Sequence, residues 1–245
     1  MNRATARHIV PFIIWVGVLV IAHLMHLTPS SASETIKSLD IISDATLYLF
    51  SSAICAILFI ILRPWRYYEP IKSKNILPAV GLGVFVFFLW VVFETAFINN
   101  LSPALADFYE KWCVMPFGEK RSIPEILPYS PATCGWPLTI AKLLGSAFVI
   151  SIIEEFFWRG WLLRFIRTPD FLDIDIGEFH LPAFIGVALI FGFEHSEWAV
   201  GVITGLIWGI FFIKTRDVWS TAISHVTTNL LLGIYVIATG SWQFW

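Results

Sequence analysis

Between Ile76 and Phe93 the chain reads ILPAVGLGVFVFFLWVVF, eighteen residues without a single charge. Similar apolar stretches lie at about 8–27, 42–62, 77–98, 137–163, 181–198, 200–214 and 218–239, most of them near the roughly 20 residues a helix needs to cross a bilayer. Composition agrees: 57% of the 245 residues are hydrophobic and only 14% charged, where a soluble domain carries about 25%. The expected fold class is all-α, a polytopic integral membrane helix bundle of about seven, or eight, transmembrane helices, with one embedded domain overall. Within it, residues 1–136 supply N-terminal helices plus an extramembrane loop at 99–136, and residues 137–239 form a second region that carries the motifs discussed below.

The first span has Arg3 and Arg7 before it and small residues at Ser30 to Ser33 after it, as a signal peptide would. Its apolar core is too long for that role and six more spans follow, so it is expected to be a retained helix. The span at 200–214 is the shortest and richest in glycine, and is expected to tilt or cross only partly. The glycines from Gly201 to Gly209 permit close helix approach.

Positive charge sets the expected orientation. With a cytoplasmic N-terminus, the inner side collects Arg3, Arg7, Arg63, Arg66, Lys72, Lys74, Arg164, Arg167, Lys214 and Arg216, and the outer side only Lys37, Lys111, Lys120 and Arg121. That bias predicts seven crossings, N-in and C-out, in an inner or cytoplasmic membrane. Trp65, Tyr67, Tyr68 and Trp219 fall at the inner ends, and Trp136, Trp198, Trp242 and Trp245 at the outer, where aromatic belts form. A net charge of −2 gives no reason to expect nucleic acid as a partner.

The loop at 99–136 holds Cys113 and Cys134 and prolines at 103, 116, 124, 128 and 131. A disulfide or two unpaired thiols are both open readings; Cys55, within the second span, reads as a small packing residue.

Charge within a span is costly, roughly 2.5–3.5 kcal/mol for Asp, Lys or Arg near the centre, so such residues are functional candidates. The fourth span contains Glu154, Glu155 and Arg159. Glu155 and Arg159 stand four apart and share a helix face, which predicts an ion pair within one helix. Glu154 points about 100° away and has no partner on its own helix by this count. A scaffolding salt bridge between helices is the competing reading. The fifth span ends in Phe191-Gly-Phe-Glu-His195, with Phe191 and His195 on one face. Taken singly, His195 reads better as a satisfied interfacial residue than as a catalyst, and Glu194 and Glu197 read as wetted at the outer headgroups. Glu94 in the third span receives the same reading. The seventh span carries Ser224-His-Val-Thr-Thr-Asn229, with His225 and Asn229 on one face, as an interhelical hydrogen bond alone would require. Counted at about 1.5 Å per residue from the inner ends, Glu154, His195 and His225 lie roughly 10–20 Å deep. Three helices offering polar groups at overlapping depth point to one polar, water-containing cavity, walled by protein and open to the cytoplasmic side.

The ordered set Glu154-Glu155-x-x-x-Arg159, Phe191-x-x-x-His195 and His225-x-x-x-Asn229 resembles the CPBP family of intramembrane glutamic proteases, which includes the type II CAAX prenyl endopeptidases and Abi proteins. The resemblance covers about residues 137–239. It implies a catalytic membrane core there, in which Glu154 is the base that activates water, His195 helps hold that water, and His225 and Asn229 stabilise the oxyanion. Glu155 and Arg159 would organise the site. The resemblance implies no catalytic metal and no cofactor, although two histidines and a glutamate are groups that can bind zinc. The implied partners are the lipid bilayer and a membrane-associated protein or peptide substrate, prenylated or not. The alternative is a non-catalytic membrane protein that uses the same polar cluster to bind a ligand or a partner helix. A transporter is disfavoured, because no inverted repeat or broken helix pair is visible.

Overall fold

A computed structural model describes the backbone of residues 2–26, 34–114, 121 and 126–245, and the side chains of these residues except 22–26 and 34–43. Ser30 to Ser33, Pro116, Lys120, Pro124 and the side chain of Lys37, all used above, lie outside the described set. Among the described residues the chain is helical and has no strand. The long helices are α1 (Arg3–His26), α2 (Glu34–Leu62) and α3 (Ile76–Val92). Short helices α4 (Ala96–Leu101), α5 (Pro103–Tyr109) and α6 (Pro131–Cys134) occupy the expected extramembrane stretch. The motif-bearing helices follow as α7 (Trp136–Phe165), α8 (Leu181–Phe193), α9 (Trp198–Thr215) and α10 (Val218–Thr239).

Six of these are long and apolar enough to cross a membrane: α1, α2, α3, α7, α9 and α10. Large apolar side chains such as Phe50, Ile57 and Ile61 stay exposed on α2, where lipid rather than water is the compatible solvent. This is an integral membrane helix bundle. The short element differs from expectation: α9 reaches 18 residues, whereas α8 has only 13. At about 1.5 Å per residue α8 spans some 20 Å, against a hydrocarbon core of about 30 Å. Its start is fixed by Pro182 in the first turn and by the His180 ring, which accepts from Ala183 N–H at 3.4 Å. Its end comes at the polar run from Glu194 to Glu197.

The chain divides into two compact units, each built from separated segments. One comprises residues 1–67, 123–154 and 229–245. In it α1 packs on α2 through an edge-on contact of Trp15 with Tyr48 at 5.1 Å. The Cys55 thiol, fully buried on α2, donates to the carbonyl of Pro11 on α1 at 3.3 Å, so it does more than fill space. Cys55, Cys113 and Cys134 are all free thiols.

The other unit comprises residues 68–122 and 155–228. Its centre is the α8–α9 pair. A side-chain carbon placed on Gly201 would meet Gly192 Cα at 2.9 Å, and one on Gly205 would meet Ala188 Cα at 2.9 Å. Glycine every fourth residue therefore lets the two backbones touch, as small residues do in membranes. Trp90 of α3 donates to Thr204 of α9 at 3.0 Å, and Thr228 of α10 donates to the Gly83 carbonyl of α3 at 2.9 Å. Asp217 accepts from the backbone N–H of Trp219 (3.1 Å) and Ser220 (3.3 Å), which starts α10.

Candidate active site

α7 does not keep one helical period. Two wide turns with π-type hydrogen bonding, Gly145–Ile150 and Phe156–Leu162, flank a five-residue α-helical stretch, Ser151–Glu155, that carries both glutamates. Such wide turns release carbonyls from the regular ladder and concentrate at functional positions. No feature of side-chain spacing in the sequence announces them.

In the unit that contains residue 154, the first wide turn leaves the Ser146 carbonyl as a shared acceptor. It takes the Ser151 backbone N–H, the Ser151 hydroxyl at 2.9 Å and, from α10, Asn229 Nδ2 at 3.4 Å. Asn229 Nδ2 also donates to Ser151 Oγ at 2.9 Å. The amide of Asn229 is thus held on α7, three residues before Glu154. Both of its N–H bonds are aimed at α7 acceptors, so donation to anything else requires it to give one up. Glu154 is 7% exposed, and Tyr48 of α2, 4% exposed, lies within electrostatic reach of it.

Lys142 is a further charge in the fourth span, outside the three motifs. Its ammonium lies over the Tyr48 ring at 4.0 Å and the Tyr129 ring at 4.6 Å, a cation–π arrangement that offsets part of its cost in lipid.

In the other unit, Glu155, Arg159 and His225 form one buried chain of hydrogen bonds. Arg159 Nη1 donates to Glu155 Oε1 at 2.6 Å, and His225 Nδ1 meets the same oxygen at 3.0 Å. Glu155 and Arg159 are 0% and 1% exposed, so the pair is fully desolvated. Aromatic rings close the rest of the shell. The guanidinium sits 4.8 Å from the Phe191 ring and 5.5 Å from the Trp208 ring, and Trp208 lies 4.3 Å from the His225 ring. Trp208 is itself pinned by its N–H bond to Ser224 Oγ at 2.9 Å.

The partners determine what each imidazole offers. A carboxylate oxygen only accepts, so Nδ1 of His225 carries the proton. Its Nε2 is then a lone pair in the neutral ring and an N–H only in the imidazolium, which Glu155 is placed to stabilise. His195 Nδ1 faces the Phe191 carbonyl at 2.8 Å, again an acceptor only. His195 Nε2 in the neutral ring is therefore an acceptor, suited to taking a hydrogen bond from water. The His195 ring packs on Phe191 at 4.7 Å and edge-on to Trp90 at 5.4 Å.

The structure brings Glu155, Arg159, His225 and Phe191 together, and the His195 ring also packs on Phe191. It groups Asn229 with Ser146 and Ser151, on the helix of Glu154. Glu94 and Glu197 are not simply wetted residues, as the sequence had suggested. Arg121 Nη2 contacts both oxygens of Glu94 at 2.6 and 2.7 Å, and its Nη1 contacts Glu197 at 3.0 Å, with Glu197 1% exposed. Glu194 is exposed.

Residues 136–231 match the family model described as type II CAAX prenyl endopeptidase Rce1-like. Over this region the chain is similar to the CAAX-type proteases. The matched segment opens with α7, ends within α10, and holds all seven named residues of the three motifs. Comparison with curated proteins and with solved structures gave no match.

Proposed function

We propose that this protein is an intramembrane endopeptidase of the CPBP type that hydrolyses a peptide bond of a membrane-associated protein or peptide by glutamate-activated water. Glu154 is the general base, and His195, through its unprotonated Nε2, helps hold the water. As the carbonyl is attacked, negative charge grows on its oxygen, and His225 and Asn229 stabilise it by hydrogen bonding. His225 donates from Nε2 once that nitrogen has taken up a proton from solvent, a form that burial opposes and that Glu155 supports by accepting from Nδ1. Asn229 donates after exchanging a bond to Ser151 or Ser146 for one to the substrate. Arg159 neutralises Glu155 and, held by Phe191 and Trp208, fixes the carboxylate between its two donors.

The observation that carries this reading is the double use of Glu155 by Arg159 and His225, inside the segment that matches the protease family. A carboxylate that orients an imidazole in an apolar surround is the arrangement proton-handling sites need. No serine or cysteine in the motifs is set up as a nucleophile, which favours direct attack by water.

The test is hydrolysis by purified protein in proteoliposomes. Glu154→Gln keeps the shape and removes the base, and lowers the rate at least about 100-fold while leaving expression and insertion normal. His195→Ala acts in the same direction. Native-rate cleavage by either variant sinks the mechanism. Activity is expected to survive exhaustive chelation; loss on chelation and recovery on adding zinc would point instead to a metal-dependent hydrolase.

A further inference from the structure

The turn that carries His195, between the end of α8 at Phe193 and the start of α9 at Trp198, is gripped by a part-buried ionic cluster that the proposed chemistry does not use. Glu197 is the residue before α9, yet its carboxylate makes no capping bond to that helix. One oxygen receives Arg121 Nη1 at 3.0 Å and the other receives the Tyr109 hydroxyl at 3.3 Å. Burial, with the Glu197 and Glu94 charges adding to it, holds the Tyr109 hydroxyl above its ordinary range, so it remains a donor. Arg121 turns its other arm to Glu94.

The end of α3 supplies the opposite wall. Trp90 stands edge-on to the His195 ring, Phe93 stacks on Tyr109 at 4.7 Å, and Glu94 holds Arg121. Arg121 therefore ties the helix end that packs against His195 to the residue two positions after His195. We propose that Arg121 is a positioning residue for His195: by bridging Glu94 and Glu197 it holds the α8–α9 turn against Trp90 and so fixes the imidazole. The proposal rests on the reading of His195 as a member of the proteolytic site. Its physical basis is the loss of the tie. Burial, with the Glu94 charge adding to it, pushes the Glu197 carboxyl up to about 8, so without the guanidinium it takes up a proton and no longer anchors the turn to the end of α3.

The test reads the histidine directly. In protein labelled with ¹⁵N-histidine, the His195 ring signals are identified by their loss in His195→Gln. Arg121→Gln is expected to shift or broaden those signals and to lower kcat by about ten- to a hundred-fold at little change in KM, as small misplacements of reacting groups do. Arg121→Lys, which keeps the charge but loses the two-armed geometry, falls between. His195 signals in Arg121→Gln identical to those of the native protein overturn the proposal. Where that variant does not fold, Arg121→Gln/Glu197→Gln, which removes the stranded carboxyl, carries the same two outcomes. A shifted His195 signal in a protein whose native form hydrolyses no peptide supports the clamp and overturns the protease reading instead.

Discussion

At the scale of single residues, Glu155 is the hub, because one of its oxygens serves both Arg159 and His225. Breaking such a desolvated pair strands a charge and costs on the order of 3–5 kcal/mol, more than a replacement of both partners would. Arg159→Met is therefore expected to lower the thermal midpoint in detergent sharply, whereas Arg159→Met/Glu155→Leu recovers much of the loss; an unchanged midpoint in the single variant contradicts the pair. The sequence made Glu155–Arg159 readable because both lie four apart on one helix. It did not reveal the bond from His225, seventy positions away, since only tertiary packing creates it. The same limit explains Glu94 and Glu197, which look like wetted end-of-helix carboxylates until Arg121 is seen to pair with both. Tyr48, Ser151 and Trp208 also escaped notice, because polar or aromatic residues in lipid helices look alike until their neighbours are known.

At the scale of elements, apolar run length was a good guide to where helices lie, and a weaker one to how long and how regular they are. α8 is short because Pro182 and the polar Glu194–Glu197 turn bound it. The wide turns in α7 were invisible for a different reason: they change hydrogen-bond register without a marker residue. The glycine spacing on α9 was legible and means what it suggested. Gly205→Leu would drive a side chain into the Ala188 backbone, and overpacking of that kind costs about 1–3 kcal/mol. The variant is expected to yield less folded protein and a lower midpoint, while Gly186→Leu on α8, where a side-chain carbon meets nothing within 4 Å, leaves both unchanged.

At the scale of the whole molecule, the membrane class and the family region were both legible from residue pattern, while the sidedness rests on charge alone. Six full-length helices would return the chain to its starting side, so the 13-residue α8 decides whether the termini are opposed. The excess of lysine and arginine predicts that α8 crosses, with the N-terminus cytoplasmic and Trp245 outside. Topology reporters fused at each end check this: opposite sides are expected, and a C-terminus on the cytoplasmic side contradicts it. The central claim, that this is a protease driven by Glu154, is met most directly by comparing the peptides of membranes that contain the native protein with those that contain Glu154→Gln at equal abundance. The account predicts a defined set of cleavage products present with the native protein and absent with the variant; identical peptide profiles would contradict it.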